Sequence, residues 1–315
     1  MTTLPSYVLI TPARNEANFI ELTLKSVVAQ TVLPLKWVVV SDGSTDGTDD
    51  LVRKYAFDRP WIELLRMPER QERHFAGKVL AFEAGRAKLE GLQYEIIGNL
   101  DGDTSFSPDY FEFLMEKFAA NPRLGVGGTP FREGAFQYDY RFANVEHVSG
   151  QIQMFRRQCF ADIGGYVPNK WGGIDLVAVI KARMKGWETR SFLEKTYEHH
   201  RKMGSAAKYS GVKGSFWDGQ RDYAFGCDPL WQFTRCAYRS FARSPLILGG
   251  SLVFAGYFWS MLTRAPKMVP DDLVKFRRTE ERQRLRELVK RRFSFGSGKP
   301  VVNEEPKSLR EAPRR

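Results

Sequence analysis

Residues 95–103 read Glu-Ile-Ile-Gly-Asn-Leu-Asp-Gly-Asp, an apolar run that leads directly into two carboxylates separated by one glycine. The run predicts a buried strand over 95–100, and side chains two residues apart on an extended chain point the same way. Gly102 between them lets backbone and ligand approach closely. Asp101 and Asp103 together suit Mg²⁺ or Mn²⁺, which bind one or two carboxylates along with substrate phosphates. Taken alone, the stretch leaves an acidic surface turn as the alternative.

Outward from this stretch, apolar runs alternate with helical patterns. The strands predicted on the amino-terminal side are 7–11, 36–40 and 61–65, and the helices are 16–30, 51–56 and 78–90. The helices predicted further along are 108–118, 157–163 and 175–185, with a strand at 152–155. Alternation at this spacing predicts an α/β fold with a mostly parallel sheet covered by helices.

Polar clusters follow three of the predicted strands. They are Thr11-Pro12-Ala13-Arg14-Asn15-Glu16, Ser41-Asp42-Gly43-Ser44-Thr45-Asp46-Gly47-Thr48 and Asp101-Gly102-Asp103. Ligands bind at the carboxyl ends of strands in such sheets, so we expect one site there. Asp42 can accept hydrogen bonds from a base or ribose, and backbone N–H groups at a helix start favour anions. Turn and capping roles are the alternative, which we prefer for Asp46 and Thr48, and Pro12 also fits a structural role in a first helical turn.

Positive charge is concentrated in the last third of the chain. Lys and Arg number 48 against 37 Asp and Glu, a formal net charge of +11. Residues 1–199 hold 24 basic and 26 acidic side chains, whereas residues 200–315 hold 24 and 11. The carboxyl-terminal part should therefore face lipid, nucleic acid or phosphate. Three cysteines are too few for a disulfide scaffold and indicate a reducing compartment, and we recognise no secretory signal.

Two carboxyl-terminal segments are candidates for membrane contact. Residues 246–262 contain no charge over 17 positions, and as a helix they would span roughly 25 Å, less than the ~30 Å bilayer core. A buried or interfacial membrane hairpin and a plain core helix both remain open for this segment, and a full span is less favoured. Residues 276–292 carry eight basic and three acidic side chains, which is typical of a helix on a membrane surface, a solvated helix packed on the protein body being the alternative. We expect residues 294–315 to be a disordered tail.

Four motifs occur in the order found in family 2 glycosyltransferases: residues 11–16, residues 41–48, Gly77-Lys78 before a helix, and residues 101–103. The chain resembles that family over roughly residues 5–200. The resemblance implies the GT-A fold, a Rossmann-like α/β fold with a mixed sheet covered by helices, followed here by a basic, helical extension. It also implies that Asp42 contacts the uracil side of the donor, that Lys78 contacts the donor, and that Asp101 and Asp103 bind metal and sugar nucleotide. The implied donor-binding residues are Thr11, Pro12, Ala13, Asn15, Glu16, Asp42, Gly43, Ser44, Lys78, Asp101, Gly102 and Asp103.

The resemblance extends to an acceptor-side helix. In the family a Glu-Asp pair opens this helix, a Gly-aromatic pair ends it, and the Asp is the catalytic base. Here Gly186-Trp187 end the helix that begins near Asp175, so the resemblance aligns Asp175 with the base. Ile174 stands where the family has Glu. The alternative for Asp175 is a helix N-cap without a chemical role.

His199, His200 and Arg201 form a cationic cluster near the expected site. They are candidates for contact with the donor pyrophosphate or an acceptor phosphate, and a histidine could add a metal ligand. An ordinary loop at a domain edge is the alternative. The Gln-x-x-Arg-Trp motif of the family's processive polysaccharide synthases is absent from this downstream region, which favours transfer of single sugars over polymerisation.

These inferences combine into one hypothesis: an inverting, metal-dependent glycosyltransferase of cell-envelope or polysaccharide biosynthesis. A nucleotide diphosphate-sugar, expected to be a UDP-sugar, would donate to a hydroxyl or phosphate of a glycan or lipid-linked acceptor. We expect Mn²⁺ or Mg²⁺ as cofactor, no nucleic-acid partner, and a cytoplasmic protein with peripheral attachment to an anionic membrane surface.

The expected organisation is a donor-binding half (1–103), an acceptor-side half (104–205), a basic helical extension (206–293) and the tail (294–315). A sugar nucleotidyltransferase is the alternative enzyme, but residues 8–20 lack the glycines of a triphosphate-binding loop. A dinucleotide-dependent oxidoreductase is disfavoured because G-x-G-x-x-G is absent. A basic nucleic-acid-binding module would set the strand-end carboxylates against phosphates and leave them without a role.

Overall fold

The computed structural model describes residues 3–69, 76–134, 136–137, 145–169, 171–201, 211–242 and 248–294. The chain divides into two compact units, Met1–Ala206 and Ala207–Arg315. The expected tail, apart from Ser294, lies outside the described residues, and so do residues 246 and 247 of the uncharged segment.

A seven-stranded mixed sheet forms the centre of the first unit. Its strands, in the order in which they lie side by side, are β10 (Glu188–Ser191), β6 (Leu124–Gly128), β9 (Ile152–Arg156), β4 (Ile96–Leu100), β1 (Tyr7–Ala13), β2 (Lys36–Asp42) and β3 (Ile62–Met67). β1 pairs in parallel with β2 and β4, and β2 pairs in parallel with β3. β9 runs antiparallel to both β4 and β6. The predicted mixed α/β sheet is therefore confirmed.

A smaller four-stranded sheet positions the cationic cluster. Its strands, again side by side, are β5 (Thr104–Ser105), β11 (Tyr197–His199), β7 (Phe131–Glu133) and β8 (Phe136–Gln137). β11 runs antiparallel to β5, with His199 opposite Thr104. Because Thr104 directly follows Asp103, this pairing brings the end of β11 to the strand-end carboxylates.

Helices cover both faces of the large sheet. They are α1 (Ile20–Val28), α2 (Thr48–Ala56), α3 (Ala76–Ala87), α4 (Tyr110–Ala120), α5 (Arg157–Asp162) and α6 (Ile174–Met184). Leu9 and Val39 lie in a core shared with α1, α2 and α4, whereas Val8 and Val40 lie in a second core shared with α3, α5 and α6. Strands covered on both faces are apolar throughout, which is why β1 and β2 are recognisable in the sequence.

Two of the differences from the sequence prediction have local reasons. The first helix begins at Ile20 rather than at residue 16, because Asn15 has a φ of 54° and the backbone around it is held by the 44–48 loop. Strand β10 is not recognisable in the sequence, because Glu188-Thr189-Arg190-Ser191 is polar throughout. It lies at the sheet edge. Thr189 and Ser191 are buried there, and their hydroxyl groups donate hydrogen bonds to backbone carbonyl groups.

The described part of the second unit is helical, as expected for the basic extension. Its helices are α7 (Gly211–Ala224), α8 (Pro229–Ala242), α9 (Leu248–Leu262) and α10 (Asp271–Ser294). Two glycines bring α7 and α9 close together. A β-carbon on Gly219 would lie 2.0 Å from the carbonyl oxygen of Val253, and one on Gly256 would lie 2.0 Å from that of Phe216. Larger residues at either glycine would force these helices apart.

Helix α9 contains most of the uncharged segment. Its buried face carries Val253, Tyr257 and Ser260 at helical spacing, and the opposite face exposes Trp259 and Leu262. One face of α9 is thus buried, as expected if the uncharged segment is a core helix. Among the described helices, none combines the length and the apolar character needed to cross a bilayer.

Helix α10 contains the basic amphipathic segment predicted at 276–292, and a buried charge network holds its first half. Arg277 Nε donates to Glu281 Oε1 at 2.9 Å, and the other oxygen of Glu281 accepts from the N–H of Asp228 at 2.6 Å. Arg282 Nε donates to Asp228 Oδ2 at 2.7 Å. Because Asp228 directly precedes α8, these bonds fix the start of α8 to α10.

Candidate active site

The loops that follow β1 and β2 hold each other through side-chain to backbone hydrogen bonds. The N–H groups of Asn15 and Glu16 donate to Ser44 Oγ at 3.1 Å and to Thr48 Oγ1 at 2.9 Å. Asn15 Oδ1 in turn accepts from the N–H of Thr45 at 2.9 Å. These bonds replace the first turn of a helix and turn the Glu16 side chain towards the strand-end carboxylates.

Asp46 supports this connection. Its two oxygens accept from the N–H groups of Ala17 and Thr48 at 2.9 and 3.1 Å. Burial alone would raise its pKa, but the hydrogen bonds from Thr48 and Ala17 lower it overall. Gly47 is the residue before α2 and Thr48 is its first residue, so Asp46 has the turn role that the sequence favours, and neither residue is the N-cap.

Thr11, Pro12 and Ala13 lie within strand β1 rather than in a loop. Pro12 is paired with β2 opposite Val40, so its expected role in the first turn of a helix is wrong. Thr11 is fully buried, and its Oγ1 accepts from Trp37 Nε1 at 2.9 Å. Its side chain therefore contributes to the core beneath the loops.

Asp42 ends strand β2 and is 7% exposed, with its Oδ2 3.9 Å from Arg14 Nη1. Gly43 follows with a φ of +68°, and a β-carbon there would lie 2.8 Å from the Cα of Glu69. Both the backbone angle and the close contact require glycine at this position. The glycine turn thus leaves Asp42 at the rim of the large sheet beside the 68–69 segment.

Asp101 and Asp103 are held by different cations. Asp101 Oδ1 accepts from Lys78 Nζ at 2.5 Å and from Asn99 Nδ2 at 3.1 Å. Asp103 Oδ2 accepts from Arg201 Nε at 3.1 Å. Desolvation raises the pKa of Asp101, opposed by Lys78. Burial would likewise raise the pKa of Asp103, but hydrogen bonds and charge from His199 and Arg201 lower it overall.

Arg201 joins three parts of the chain that are distant in sequence. It forms ion pairs with Asp103 and with Glu16, and its guanidinium lies 5.4 Å from the centre of the Phe19 ring. Burial and the neighbouring Asp103 charge raise the pKa of Glu16 to about 7, although Arg201 opposes the shift. The structure therefore collects three carboxylates, Glu16, Asp101 and Asp103, in one cleft.

The two histidines occupy different environments. His199 ends strand β11, with Nδ1 3.4 Å from Glu133 Oε2 and Nε2 3.6 Å from Asp103 Oδ2. Burial opposes its protonation, but these carboxylates raise its pKa overall. His200 donates its N–H to the carbonyl oxygen of Asp103 at 2.9 Å and pairs its ring with Ser105 Oγ at 2.8 Å. A strand, rather than an ordinary loop, thus carries His199 to the cleft.

Asp175 lies at the second position of α6, because Gly173, with a φ of 66°, is the residue before the helix. The N-cap role considered for Asp175 is therefore wrong. Its side chain packs against Gly150, whose carbonyl oxygen accepts from Asn99 Nδ2 at 2.7 Å. Burial raises the pKa of Tyr166, and the charges of Asp175 and Asp101 raise it further. Gly150 thus lies between the Asp175 side chain and the Asn99 amide that also holds Asp101.

Three residues of this cleft were not singled out from the sequence. Asn99 holds both Asp101 and Gly150, Glu133 contacts His199, and Arg14 lies beside Asp42. Asn99 carries a local signal, because a polar residue inside an otherwise apolar strand needs a buried partner. Glu133 carries none, since its short strand shows no hydrophobic period.

Asp101 and Asp103 are the candidate metal ligands of this site. In the part of the chain that the structure describes, no group of three or more His, Cys, Asp or Glu side chains could hold a metal ion. Asp103 Oδ1 is nevertheless buried without a hydrogen-bond partner among the described residues. Buried acceptors in folded proteins nearly always have a partner. The carboxylate pair therefore fits a cation that takes its other ligands from a substrate diphosphate.

Known proteins match both the sequence and the fold. The model of a family described as Glycosyl transferase family 2 matches residues 8–172. The succinoglycan biosynthesis protein ExoA of Rhizobium meliloti (strain 1021) is 28% identical over 188 residues, 51% of this chain and 53% of that protein. The chain thus spans about half the length of this relative.

Solved structures show the same fold. The mannosyltransferase PcManGT from Pyrobaculum calidifontis, in complex with GDP-Man and Mn2+, aligns with a TM-score of 0.54 and 20% identity over 86% of this chain and 78% of that chain. S. aureus TarS 1-349 in complex with UDP-GlcNAc aligns with a TM-score of 0.54 and 14% identity over 80% and 71%. The expected GT-A fold is thereby confirmed.

Proposed function

The chain belongs to glycosyl transferase family 2, and we propose that it transfers a single sugar from a nucleotide diphosphate-sugar to an acceptor, with inversion at the anomeric carbon. The observation that carries this proposal is the link through Gly150, which packs against Asp175 and whose carbonyl oxygen accepts from Lys78 and Asn99, the two donors that also hold Asp101. The family match also favours this reaction over nucleotidyl transfer and over nucleic-acid binding.

The donor would lie along the ends of β1, β2 and β4. Asp42 would accept hydrogen bonds from the base, and Lys78 and Arg201 would offset the negative charge of the diphosphate. We take the donor to be a UDP-sugar. In support, one fold neighbour was solved with UDP-GlcNAc, although another was solved with GDP-Man.

Asp175 would act as the base. Its carboxylate would accept the proton of the acceptor hydroxyl while the oxygen attacks the anomeric carbon from the face opposite the diphosphate. The bond between that carbon and the diphosphate oxygen breaks, and the nucleoside diphosphate leaves with the electron pair. Attack from the opposite face inverts the configuration. Base catalysis of this kind contributes roughly 10²–10⁴-fold to a rate.

Asp101 and Asp103 would hold Mn²⁺ or Mg²⁺ together with the diphosphate. In support, the buried Oδ1 of Asp103 has no hydrogen-bond partner among the described residues. When bound, the ion supplies positive charge that stabilises the leaving diphosphate. Lys78 and Arg201 already hold the other oxygens of these carboxylates and keep the pair in place.

The acceptor is proposed to be a hydroxyl or phosphate of a glycan or a lipid-linked intermediate in cell-envelope or polysaccharide biosynthesis. The similarity to a succinoglycan biosynthesis protein supports the pathway class. The basic charge of residues 200–315 supports an acceptor presented at an anionic membrane surface, on its cytoplasmic side.

The proposal is tested by incubating the full chain with a panel of sugar nucleotides, with Mn²⁺ or with EDTA, and measuring release of the nucleoside diphosphate. We expect release from one UDP-sugar, increased by Mn²⁺. Asp109→Asn, an exposed carboxylate on another loop, is the matched control for Asp103→Asn. No release from any sugar nucleotide, together with no binding of any of them, would contradict the proposal.

A further inference from the structure

Helices α8 and α9 expose large apolar side chains on a common side. The exposed fractions are 59% for Leu230, 53% for Phe233, 57% for Trp259 and 76% for Leu262. Single exposed apolar residues are normal on protein surfaces, but contiguous apolar patches mark sites of interaction. Their arrangement therefore decides whether they have a function.

Ring contacts link Phe233 of α8 to two rings of α9, and Trp259 precedes Leu262 of α9 by three residues. The Phe233 ring lies 5.9 Å from that of Phe254, and the Phe254 ring lies 4.2 Å from that of Phe258. Leu230 precedes Phe233 by three residues, and Leu262 follows Phe258 by four, so each shares a helix face with one of these rings. We call this surface the α8–α9 face. It consists of Leu230, Phe233, Phe254, Phe258, Trp259 and Leu262.

The second unit cannot bury this face by rotating α9. The opposite side of α9 packs against α7. Gly219 of α7 contacts the backbone of Val253, and Gly256 of α9 contacts the backbone of Phe216. Tyr257, fully buried, also donates its hydroxyl to the carbonyl oxygen of Cys227 at 2.6 Å. The exposed apolar face is therefore a stable property of this helix pair.

The described part of the second unit carries a surplus of positive charge. Residues 211–242 and 248–294 contain 15 basic and 8 acidic side chains. Four of the acidic side chains already pair with arginines of the same unit: Asp218, Asp222, Asp228 and Glu281. Exposed Arg264 follows Leu262 by two residues. The net charge of this part of the chain is therefore positive, and one exposed basic side chain lies next to the apolar face.

We propose that the α8–α9 face docks on the surface of an anionic lipid bilayer, with Trp259 and Leu262 entering the headgroup region. Tryptophan favours the membrane interface because its ring is apolar and its N–H is polar. A surface that combines apolar side chains with basic ones binds anionic membranes through both. A second copy of the chain would bring positive charge against positive charge, and a nucleic acid would leave the apolar side chains exposed to water.

The test is flotation of the full chain with vesicles of phosphatidylcholine alone or mixed with phosphatidylglycerol. We expect binding to the anionic vesicles at low salt, with weaker but measurable binding at high salt because apolar insertion is not screened. The double variant Trp259→Ser with Leu262→Ser should lower the partition coefficient on the order of tenfold or more. Both side chains are exposed, so circular dichroism should show an unchanged fold.

The matched control is Phe57→Ser, because Phe57 is 94% exposed but lies in the first unit. It should bind vesicles like the wild type. The proposal is overturned if the wild type ignores anionic vesicles, if it binds neutral vesicles equally well, or if the double variant binds as the wild type does. A dimer that the double variant dissociates would also overturn it. None of these readouts depends on sugar transfer, so the two proposals fail separately.

Discussion

A β-carbon added to Gly150 would lie 2.8 Å from the β-carbon of Asp175 and 3.0 Å from its Oδ2. On its other side, the carbonyl oxygen of Gly150 accepts hydrogen bonds from Asn99 at 2.7 Å and from Lys78 at 3.4 Å. Both donors also hold Asp101. Gly150 therefore connects the proposed base to the donor-side carboxylate, and the absence of a side chain sets their separation.

Gly150→Ala should displace Asp175, because the short aspartate side chain has no flexible end that can move away. We expect the transfer rate to fall on the order of a hundredfold, as is typical of a displacement near 1 Å at a reacting group. Donor affinity should change little. Transfer kinetics and calorimetric titration of the donor measure the two effects separately.

Gly249→Ala is the control for that substitution, because a β-carbon at Gly249 meets nothing within 4 Å. It should leave transfer unchanged. If Gly150→Ala lowers the melting temperature but the folded variant transfers sugar at the wild-type rate, Gly150 has a packing role alone.

Asp175→Asn removes the proton acceptor but keeps the size of the side chain. We expect transfer to fall by roughly 10²–10⁴-fold, about 3–5 kcal/mol in the barrier. Donor binding should be nearly unchanged, because Asp42, Lys78 and the carboxylate pair remain. Asn also fits beside Gly150, so thermal stability should shift little. Transfer at the wild-type rate would show that another group takes the proton.

Asp103→Asn should abolish the dependence of donor binding on a divalent metal. Wild-type protein should bind the sugar nucleotide more tightly in Mn²⁺ than in EDTA, since the carboxylates by themselves repel a diphosphate. The variant should show nearly equal affinities, while Asp109→Asn should behave as the wild type. Calorimetric titration decides this, and equal wild-type affinity in Mn²⁺ and EDTA would remove the metal from the mechanism.

Glu16→Gln should change how stability depends on pH in metal-free buffer. The carboxyl pKa is raised from 4.5 to about 7 in the folded chain, so the folded state holds this proton more tightly than the unfolded state. The stabilisation is complete below pH 4.5 and is lost as the pH rises towards 7, up to ~3 kcal/mol. The difference in unfolding free energy between wild type and variant should therefore fall over this range.

Urea unfolding at a series of pH values measures that difference. Glu90→Gln, which changes an exposed carboxyl after α3, controls for the loss of one acidic charge. A difference between wild type and Glu16→Gln that stays constant from pH 4.5 to 7 would show that Glu16 does not titrate in this range.

The local sequence pattern was sufficient to predict strands β2 and β4, because strands buried on both faces are apolar throughout. It failed at β10, where the two buried residues, Thr189 and Ser191, are polar and donate hydrogen bonds to the 146–147 backbone. It also misplaced the start of α1, because the hydrogen bonds that hold Asn15 and Glu16 come from a loop about thirty residues further along the chain.

The sequence by itself determined the α/β class, the polar strand ends and the carboxylates that resemble a donor site, because hydrophobic period and motif spacing are properties of neighbouring residues. Only the tertiary structure decided which groups meet. Arg201 reaches Glu16 across 185 positions because β11 pairs with β5, and Asp175 reaches its place because Gly150 has no side chain. Such contacts depend on strand pairing and close packing, which are set by the whole fold and leave no periodic signal in the chain.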